Sequence, residues 1–291
     1  MTPFFSIIIP LYNSEGTLND TIHSILMQDE KDYELVFVDG ASTDNTLQII
    51  ADLQKSNPEV RIKILSERDN GIYDAMNKGL DLAKGSWFYF MGSDDRLHSP
   101  AVLSDIQREI NKTDTDLIYG NVYGISSDTR YVYDTLSKVL STGIHHQSIF
   151  YKASLFNEFG KYDLRFKTAA DYHFTLKVFL NDSFKKRYLD MDIAAYGESG
   201  FSSQNYDHTF YSYQYKMLAQ NNGIAKIDEP KRCLDTSVYC CLYMAKDKVN
   251  ILFAWQNLLY YVTGQNPFTI GFRIKTIARM LMWSLTPVKK A

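Results

Sequence analysis

The stretch Trp87-Phe-Tyr-Phe-Met-Gly-Ser-Asp-Asp95 joins a short apolar run to two adjacent carboxylates. A short apolar run that ends in turn residues is typical of a buried strand. Two earlier stretches have the same form, with Phe5–Pro10 leading to Glu15 and Glu34–Val38 leading to Asp39. Acidic residues at strand ends are poor core material. They suit a crevice that binds a divalent cation and a phosphate-bearing ligand.

The rest of the first hundred residues alternates between strand and helix patterns. A further strand pattern lies at Arg61–Leu65, and apolar residues recur at helical spacing between the strands. The helical stretches are Leu18–Leu26, Leu47–Leu53 and Ile72–Ala83. This alternation predicts an α/β fold in which helices flank a mostly parallel central sheet. Ligands of such sheets bind outside the carboxyl ends of the strands, where Asp39, Asp94 and Asp95 fall.

The second half of the chain mixes shorter patterns and then becomes helical. Up to residue 205 we expect helix Ser99–Ile110, strand Asp116–Gly120, strand Ser148–Tyr151, helix Ser154–Phe159 and helix Ala169–Leu180. Beyond it, the spacing of apolar residues predicts helices over 208–222, 235–263 and 267–284. The expected organisation is one domain over 1–205, with halves at about 1–98 and 99–205, and a helical C-terminal extension over 206–291.

Composition narrows the class of protein. The chain has 291 residues, 45% of them hydrophobic, and a net charge of −3, which argues against nucleic acid as a partner. Residues 264–291 differ, because they carry five basic side chains and no acidic one. Such a tail favours an anionic surface as its partner.

Cysteine content and hydropathy indicate the compartment. Cys233, Cys240 and Cys241 form neither a disulfide framework nor a zinc-ligand pattern, so we expect reduced thiols in the cytoplasm. The N-terminal apolar stretch has neither a basic region before it nor a small-residue cleavage site, so no signal peptide is expected. No uncharged apolar run reaches the roughly 18 residues that a spanning helix needs.

The Asp94-Asp95 pair has two readings. The two carboxylates could cap the helix expected near Ser99. They could also form a hard-cation site, because Mg²⁺ and Mn²⁺ take one or two carboxylates and complete their shell with phosphate oxygens and water. The position of the pair at the end of a buried strand favours the cation.

Asp39 is a second candidate for contact with a ligand. A turn followed by a helix cap at Ser42 or Thr43 accounts for part of the segment after the strand. It does not account for Asp39 itself, which directly follows the strand. A carboxylate at that point can accept hydrogen bonds from a nucleobase N–H or a ribose hydroxyl.

The segment Glu67–Gly79 places more polar residues near the same edge. Asp69 or Asn70 could cap the following helix. That leaves Arg68 or Lys78 to neutralise a phosphate.

Other nucleotide and hydrolase motifs are absent from the sequence. There is no Gly-x-Gly-x-x-Gly after a strand and no Gly-x-x-x-x-Gly-Lys-Ser/Thr. There is also no His-Glu-x-x-His and no Gly-x-Ser-x-Gly. These absences argue against a classical dinucleotide-binding fold, P-loop phosphoryl transfer, a zinc protease and an α/β-hydrolase.

Four blocks in this order resemble the family 2 inverting glycosyltransferases of the GT-A (nucleotide-diphospho-sugar transferase) fold. They are Ser6–Asn13, Val38–Asp44, Asp69–Gly79 and Gly92–Asp95. The resemblance covers about two-thirds of the chain and is closest to enzymes of bacterial polysaccharide and O-antigen biosynthesis. It makes 1–98 the donor half and 99–205 the acceptor half.

The resemblance implies a nucleotide-sugar donor, most often UDP-linked, and a set of residues that hold it. The residues of the nucleoside site would be Pro10, Tyr12, Asn13, Glu15, Asp39 and Ser42. Arg68 and Asp69 would close the base and ribose pocket, and Asp94 would face the ribose or the donor sugar. Asp95 would bind Mn²⁺ or Mg²⁺, and Ser93 stands where many relatives carry another acid.

The acceptor half carries the implied base. Phe166–Phe174 is similar to the acceptor-side motif of the family, which makes Asp171 the general base. Many relatives have Glu-Asp here, whereas this chain has Ala170 before Asp171. His146 would contact the acceptor or the diphosphate, although a single His is usually structural or exposed. Gly197–Ser203 resembles the segment that closes over the diphosphate, and a plain connector is the alternative.

The C-terminal region has two readings of its own. Its helices could pack on the catalytic domain or on a second subunit, giving a homo-oligomer. Residues 251–291 could instead contact a membrane surface peripherally, with basic side chains near anionic headgroups.

The expected function is metal-dependent, inverting hexosyl transfer from a UDP-sugar to a hydroxyl of a saccharide acceptor. The acceptor would be lipid-linked, the reaction would serve cell-surface polysaccharide assembly, and the enzyme would work at the inner face of the plasma membrane. One alternative is a nucleotidyltransferase acting on sugar phosphates, which usually has a basic, Gly-rich loop where this chain has Leu11–Gly16. A non-catalytic nucleotide-sugar binding module is the other.

Overall fold

The computed structural model describes residues 2–198, 200, 205–264, 266 and 268–286. The chain divides into two units. The first, here called the sheet unit, consists of Met1–Thr135 and Gly143–Gln204. The second, here called the helical unit, consists of Leu136–Thr142 and Asn205–Ala291.

In the described part of the chain, the sheet unit is built on one nine-stranded sheet. Its strands are β1 (Phe5–Leu11), β2 (Tyr33–Asp39), β3 (Arg61–Ser66), β4 (Trp87–Phe90), β5 (Arg96–Leu97), β6 (Leu117–Gly124), β7 (Thr129–Tyr131), β8 (Ile149–Lys152) and β9 (Lys186–Tyr196). Their order across the sheet is β3-β2-β1-β4-β8-β6-β9-β5, and β7 pairs with β6.

The first four strands form the parallel part that the apolar runs predicted. β1, β2 and β4 are buried at every position, because helices cover both faces of the sheet there. β1 is parallel to β2 and β4, and β2 is parallel to β3. From β8 onward the sheet is mixed, since β8 is antiparallel to both β4 and β6 while β6 and β9 are parallel.

Helices connect and flank these strands. In the sheet unit they are α1 (Leu18–Leu26), α2 (Thr46–Ser56), α3 (Ile72–Leu82), α4 (Val102–Lys112), α6 (Ser154–Phe159) and α7 (Ala170–Leu180). The predicted β-α-β-α-β-α-β order of the first ninety residues is therefore confirmed. α1 buries Leu18, Ile22 and Ile25 in the main core, at the spacing that predicted the helix.

Gly79 sets how closely α3 approaches the sheet. A Cβ added at Gly79 would collide with Cγ2 of Ile8 and would lie 3.3 Å from Cγ2 of Val38. The helix therefore rests directly on β1 and β2. This contact holds the first turn of α3 near the carboxyl ends of these strands.

The second half of the sheet unit departs from expectation at two elements. β9 (Lys186–Tyr196) was not predicted, because its charged and half-exposed positions give no continuous apolar run. The helix expected at Ser99–Ile110 begins later, at Val102, and continues to Lys112. The helices expected near 154–159 and 169–180 are confirmed as α6 and α7.

The helical unit contains five α-helices in the described residues. They are α5 (Leu136–Thr142), α8 (His208–Gln220), α9 (Pro230–Lys246), α10 (Ile251–Thr263) and α11 (Ile270–Leu285). Side-chain caps begin two of them, since Asp207 accepts from the backbone N–H of Phe210 and Thr269 from that of Phe272.

The single helix expected over 235–263 is wrong. The chain breaks between α9 and α10, where Lys248 and Asn250 have φ angles of 61° and 44°. A helix cannot continue through left-handed residues. Because no Gly or Pro lies between the two helices, the apolar spacing predicts one continuous helix there.

The cysteines and the helix lengths agree with the sequence analysis. Cys233, Cys240 and Cys241 are buried and form no disulfide, and burial raises the pKa of each thiol. Among the described residues, every helix is too short or too polar to cross a bilayer.

The close contact at Gly79 gives a stability prediction. We expect Gly79→Ala to lower the free energy of unfolding by about 1–3 kcal/mol, because the added methyl overpacks the layer between α3 and the sheet. Urea unfolding monitored by circular dichroism measures the change. The control is Gly16→Ala, since a Cβ at Gly16 meets no atom within 4 Å. Equal stability of the two variants would contradict the prediction.

Candidate active site

A cleft of about 640 Å³ opens in the sheet unit at the carboxyl ends of β1 and β4. Its walls come from both strand ends, from the segment that begins α3 and from the loop before α7. Its lining includes Pro10, Tyr12, Asn13, Asp69, Tyr73 and Asp94. This is the edge at which ligands of α/β sheets bind.

The segment after β1 forms one wall of the cleft. Pro10, Tyr12 and Asn13 line it, and Tyr12 is 66% exposed. Asn13 has a φ of 49°, and its side-chain Oδ1 accepts from the backbone N–H of Thr43 at 2.9 Å. Its own backbone N–H donates to Oγ of Ser42 at 2.8 Å. The loops after β1 and β2 are thus bound to each other.

Three other predicted donor residues brace this wall. Asp39 is fully buried, and its carboxylate accepts from the backbone N–H of Ser42 and from Oγ of Ser66, the latter at 2.6 Å. Glu15 accepts from the backbone and side-chain nitrogens of Asn45 at 2.9 and 2.8 Å. Asp39, Ser42 and Glu15 are therefore absent from the cleft lining, and a nucleoside contact for them stays a prediction.

The helix cap expected at Ser42 or Thr43 is wrong. α2 begins at Thr46, whose backbone N–H donates to Oδ1 of Asp44 at 3.0 Å. Ser42 instead accepts a hydrogen bond from the backbone N–H of Asn13, which joins the loops after β1 and β2.

Asp69 and Arg68 take different positions. Asp69 lines the cleft and accepts from the backbone N–H of Gly71 at 2.9 Å. A Cβ at Gly40 would lie 2.6 Å from Oδ2 of Asp69, so the carboxylate of Asp69 lies close against the end of β2. Arg68 is exposed and lies outside the lining. Lys78, the other phosphate candidate, pairs with Glu67 at 2.9 Å.

The two adjacent acids after β4 differ in environment. Asp95 is buried, and its carboxylate accepts from the backbone N–H groups of Gly92 and Gly197 and from Nε2 of Gln147, at 2.7, 3.0 and 2.8 Å. Asp94 lines the cleft. Burial, together with the neighbouring charge of Asp95, raises the pKa of Asp94 to about 6.

These acids do not cap a helix. α4 begins after Ala101, without a side-chain cap, and neither acid reaches it. The helix-cap reading of the Asp94-Asp95 pair is therefore wrong. Of the segment expected to close over the diphosphate, Ser199 and residues 201–203 lie outside the described residues.

Asp171 lies in the first turn of α7 with both carboxylate oxygens engaged. Oδ1 accepts from the hydroxyl of Tyr73 at 2.6 Å and from the backbone N–H of Tyr172 at 2.8 Å. Oδ2 is 3.1 Å from Nδ1 of His146. Burial opposes ionisation of this acid, but the hydrogen bonds from His146 and Tyr73 outweigh it and hold the pKa of Asp171 below its usual value.

His146 shows the reciprocal shift. Burial disfavours the imidazolium, but the hydrogen bond and charge of Asp171 outweigh burial and raise the pKa of His146. The charges of Asp95 and Asp94 act in the same direction. The geometry therefore favours a partly buried ion pair between His146 and Asp171.

A short 3-10 helix, His146–Ser148, joins the acids of the two halves. His146 contacts Asp171, and the next residue, Gln147, donates to Asp95. Two side chains that are adjacent in sequence thus connect the predicted base with the predicted metal ligand. Asp39 takes no part in this connection.

Sequence reasoning missed Tyr73 and Gln147. Tyr73 lies within the block Asp69–Gly79 but was treated as part of the helix, and Gln147 directly follows the two histidines. Neither side chain carries a charge at neutral pH, so a pattern of charged residues does not identify them. The polar neighbours of each were the available signal.

Comparisons with known proteins identify the family of the chain. The model of Glycosyl transferase family 2 matches residues 6–188. A PGL/p-HBAD biosynthesis glycosyltransferase of Mycobacterium bovis (strain BCG / Pasteur 1173P2) is 40% identical over 201 residues, which cover 68% of this chain and 78% of the relative.

Two solved structures share the fold. Staphylococcus aureus TarS 1–349 in complex with UDP-GlcNAc has a TM-score of 0.61 and 21% identity over 96% of this chain and 81% of that one. The mannosyltransferase PcManGT of Pyrobaculum calidifontis, in complex with GDP-Man and Mn²⁺, has a TM-score of 0.57 and 18% identity over 98% and 86%. The expected GT-A fold is confirmed. With the family model matching more than half of its length, the chain belongs to glycosyl transferase family 2 and is a glycosyltransferase.

Proposed function

We propose that this enzyme transfers a sugar from a UDP-sugar to a hydroxyl of a saccharide acceptor, with inversion at the anomeric carbon. One observation carries the proposal. Asp171 is held ionised and oriented by His146 and Tyr73, and Tyr73 itself lines the cleft. A carboxylate fixed in this way is suited to act as a general base.

The donor assignment rests on the cleft and on one structural neighbour. Tyr12 presents an exposed ring on which a nucleobase can stack. Pro10, Asn13 and Asp69 offer backbone and side-chain polar groups around it. TarS, which shares the fold, is described in complex with UDP-GlcNAc. A nucleotidyltransferase is disfavoured, because Leu11–Gly16 contains no Lys or Arg.

The acids after β4 fit a divalent cation. Asp94 and Asp95 are adjacent and repel each other, which is part of the cause of the raised pKa of Asp94, and a cation would relieve that repulsion. Among the described residues no three His, Cys, Asp or Glu side chains converge. Carboxylate, phosphate and water oxygens together match the preference of Mg²⁺ and Mn²⁺. PcManGT is described with Mn²⁺.

In the proposed transfer, Asp171, the acids after β4 and His146 each have a separate role. Asp171 takes the proton of the acceptor hydroxyl as its oxygen forms a bond to the anomeric carbon. The bond from that carbon to the diphosphate oxygen breaks, and the electron pair leaves with UDP. When bound at Asp95 and Asp94, the cation would offset charge on the diphosphate. His146 remains beside Asp171 and offsets its charge before the proton arrives.

The acceptor is proposed to be lipid-linked, within cell-surface polysaccharide assembly, and the enzyme to act at the inner face of the plasma membrane. α11 supports this because it buries only Thr276 and Met280 among its residues. Four of its six exposed large apolar residues lie along one face: Ile270, Ile274, Leu281 and Leu285, which are 77, 64, 49 and 82% exposed.

Basic residues of α11 complement an anionic surface. Lys275 and Arg279 are exposed on this helix, and residues 264–291 contain no acid. Arg273 has a different role, because its guanidinium donates to the carbonyls of Val262, Asn266 and Phe268. An apolar stripe beside basic residues is typical of a helix that lies in a membrane interface.

Removing the base tests the chemistry. We expect Asp171→Asn to slow UDP release from its UDP-sugar by about 10²–10⁴-fold, the usual contribution of a general base. A coupled UDP assay over a panel of nucleotide-sugars measures the rate, and calorimetry checks that UDP still binds. The control is Asp163→Asn, which removes an acid that pairs with Arg165 on the loop before α7. Near wild-type activity of Asp171→Asn would remove the assignment.

The cation site predicts a dependence of UDP affinity on metal. We expect UDP with Mn²⁺ to raise the melting temperature more than either alone, because ligands that bind the native state stabilise it. Asp95→Ala and Asp94→Asn should lose the increment due to Mn²⁺. Asp95→Ala should also melt earlier, since the backbone N–H groups of Gly92 and Gly197 lose their acceptor. Asp52→Asn, an exposed acid on α2, is the control. An unchanged increment in both site variants would refute the cation site.

The membrane face predicts binding to anionic vesicles. We expect the protein to sediment with phosphatidylcholine vesicles that contain phosphatidylglycerol, and less as salt is added. Ile274→Glu with Leu281→Glu should abolish sedimentation, because charge on the stripe opposes insertion. Val249→Glu, at an exposed apolar residue outside α11, is the control. Absence of vesicle binding, or a dimer in light scattering that this double variant dissociates, would count against a membrane and for a second copy.

A further inference from the structure

The first turn of α3 connects the cleft wall to the base. Asp69, Asn70 and Gly71 line the cleft, and Tyr73 follows two residues later on the same segment. The hydroxyl of Tyr73 donates to Oδ1 of Asp171 at 2.6 Å, across 98 positions of the sequence. One segment therefore contacts both the cleft and the base.

The structure fixes α3 in place at two further points. The side-chain amide of Asn77 forms two hydrogen bonds with the backbone of Tyr162, each of 2.9 Å. Gly79 rests on β1 and β2 without an intervening side chain. Tyr73 is itself buried, so its ring has little freedom to move the hydroxyl away from Asp171.

We infer that Tyr73 is a positioning residue, whose hydroxyl orients Oδ1 of Asp171 and couples the base to the donor-binding wall of the cleft. The inference rests on the proposed role of Asp171. With Oδ1 held by Tyr73 and Tyr172, and Oδ2 by His146, the plane of the carboxylate is fixed from both sides. Placement of a base in advance of the reaction removes part of the entropic cost of transfer.

Tyr162 provides a matched control. Its ring lies 5.6 Å from that of Tyr73, centroid to centroid, and it is equally buried. Its hydroxyl, however, has no hydrogen-bond partner in the described part of the chain. The substitution of Phe for Tyr removes the same oxygen at both sites, but only at Tyr73 does it remove a hydrogen bond to Asp171.

The test compares Tyr73→Phe with Tyr162→Phe by kinetics. For Tyr73→Phe we expect kcat for UDP release to fall roughly 10- to 100-fold, the rate equivalent of one hydrogen bond to a charged group. The KM for the nucleotide-sugar should stay within about two-fold, because an interaction made only in the transition state affects kcat and leaves ground-state binding unchanged. Tyr162→Phe should match the wild type in both. Equal kcat for the two variants, or a loss confined to KM, would overturn the inference.

A second readout needs no substrate. Carbon-13 NMR of the Asp carboxyls, with the Asp171 signal assigned by its loss in Asp171→Asn, follows the titration of this acid. The ionisable groups that face or influence it are Tyr73 on α3, His145 and His146 before β8, Tyr151 on β8 and Tyr162 before α7.

We expect the pKa of Asp171 to rise in Tyr73→Phe, because a donor to the ionised form is lost, and to be unchanged in Tyr162→Phe. An unshifted pKa in Tyr73→Phe would overturn the inference. If the wild type releases UDP from no nucleotide-sugar, the proposed function fails, while the NMR titration still decides the role of Tyr73.

Discussion

Two consecutive side chains connect the two acids on which the proposed chemistry depends. His146 and Gln147 lie on a single turn, and they bind the carboxylates of Asp171 and Asp95. A buried carboxylate is costly unless donors surround it, and this turn supplies one donor to each acid. Because Asp171 comes from α7 and Asp95 from the end of β4, the turn connects two distant parts of the sheet unit.

The pairing has an electrostatic consequence for Asp171, the proposed base. A carboxylate alone in an apolar site would take up a proton and lose its function near neutral pH. The imidazolium of His146 and the hydroxyl of Tyr73 reverse this tendency at Asp171. Asp94, which faces the cleft beside another acid, shows the opposite shift. The site thus contains two carboxylates with opposite pKa shifts, since the pKa of Asp171 lies below its usual value and that of Asp94 lies above it.

The parallel half of the fold could be predicted because β1, β2 and β4 are buried on both faces and therefore read as continuous apolar runs. β9 could not, since its charged positions interrupt the pattern. The break after α9 was also hidden, because Lys248 and Asn250 adopt left-handed conformations without a glycine.

The candidate site was predictable in its location but only in part in its detail. The carboxylates at the strand ends predicted the edge of the sheet at which the cleft lies. The family resemblance predicted which residues surround it. The contacts of Glu15 with Asn45 and of Asp39 with Ser66 were not foreseeable, because these partners lie 30 and 27 positions away in the sequence. Tyr73 was missed for a similar reason, since its partner is 98 positions distant.

The absence of a side chain at Gly79 also restricts how this family member can evolve. Since α3 rests on Ile8 with no gap, a larger residue at 79 is tolerated only together with a smaller one at 8. We expect single replacements at either position to be more deleterious than a concerted exchange of volume between them. Homologous sequences should therefore show compensating volumes at these two sites.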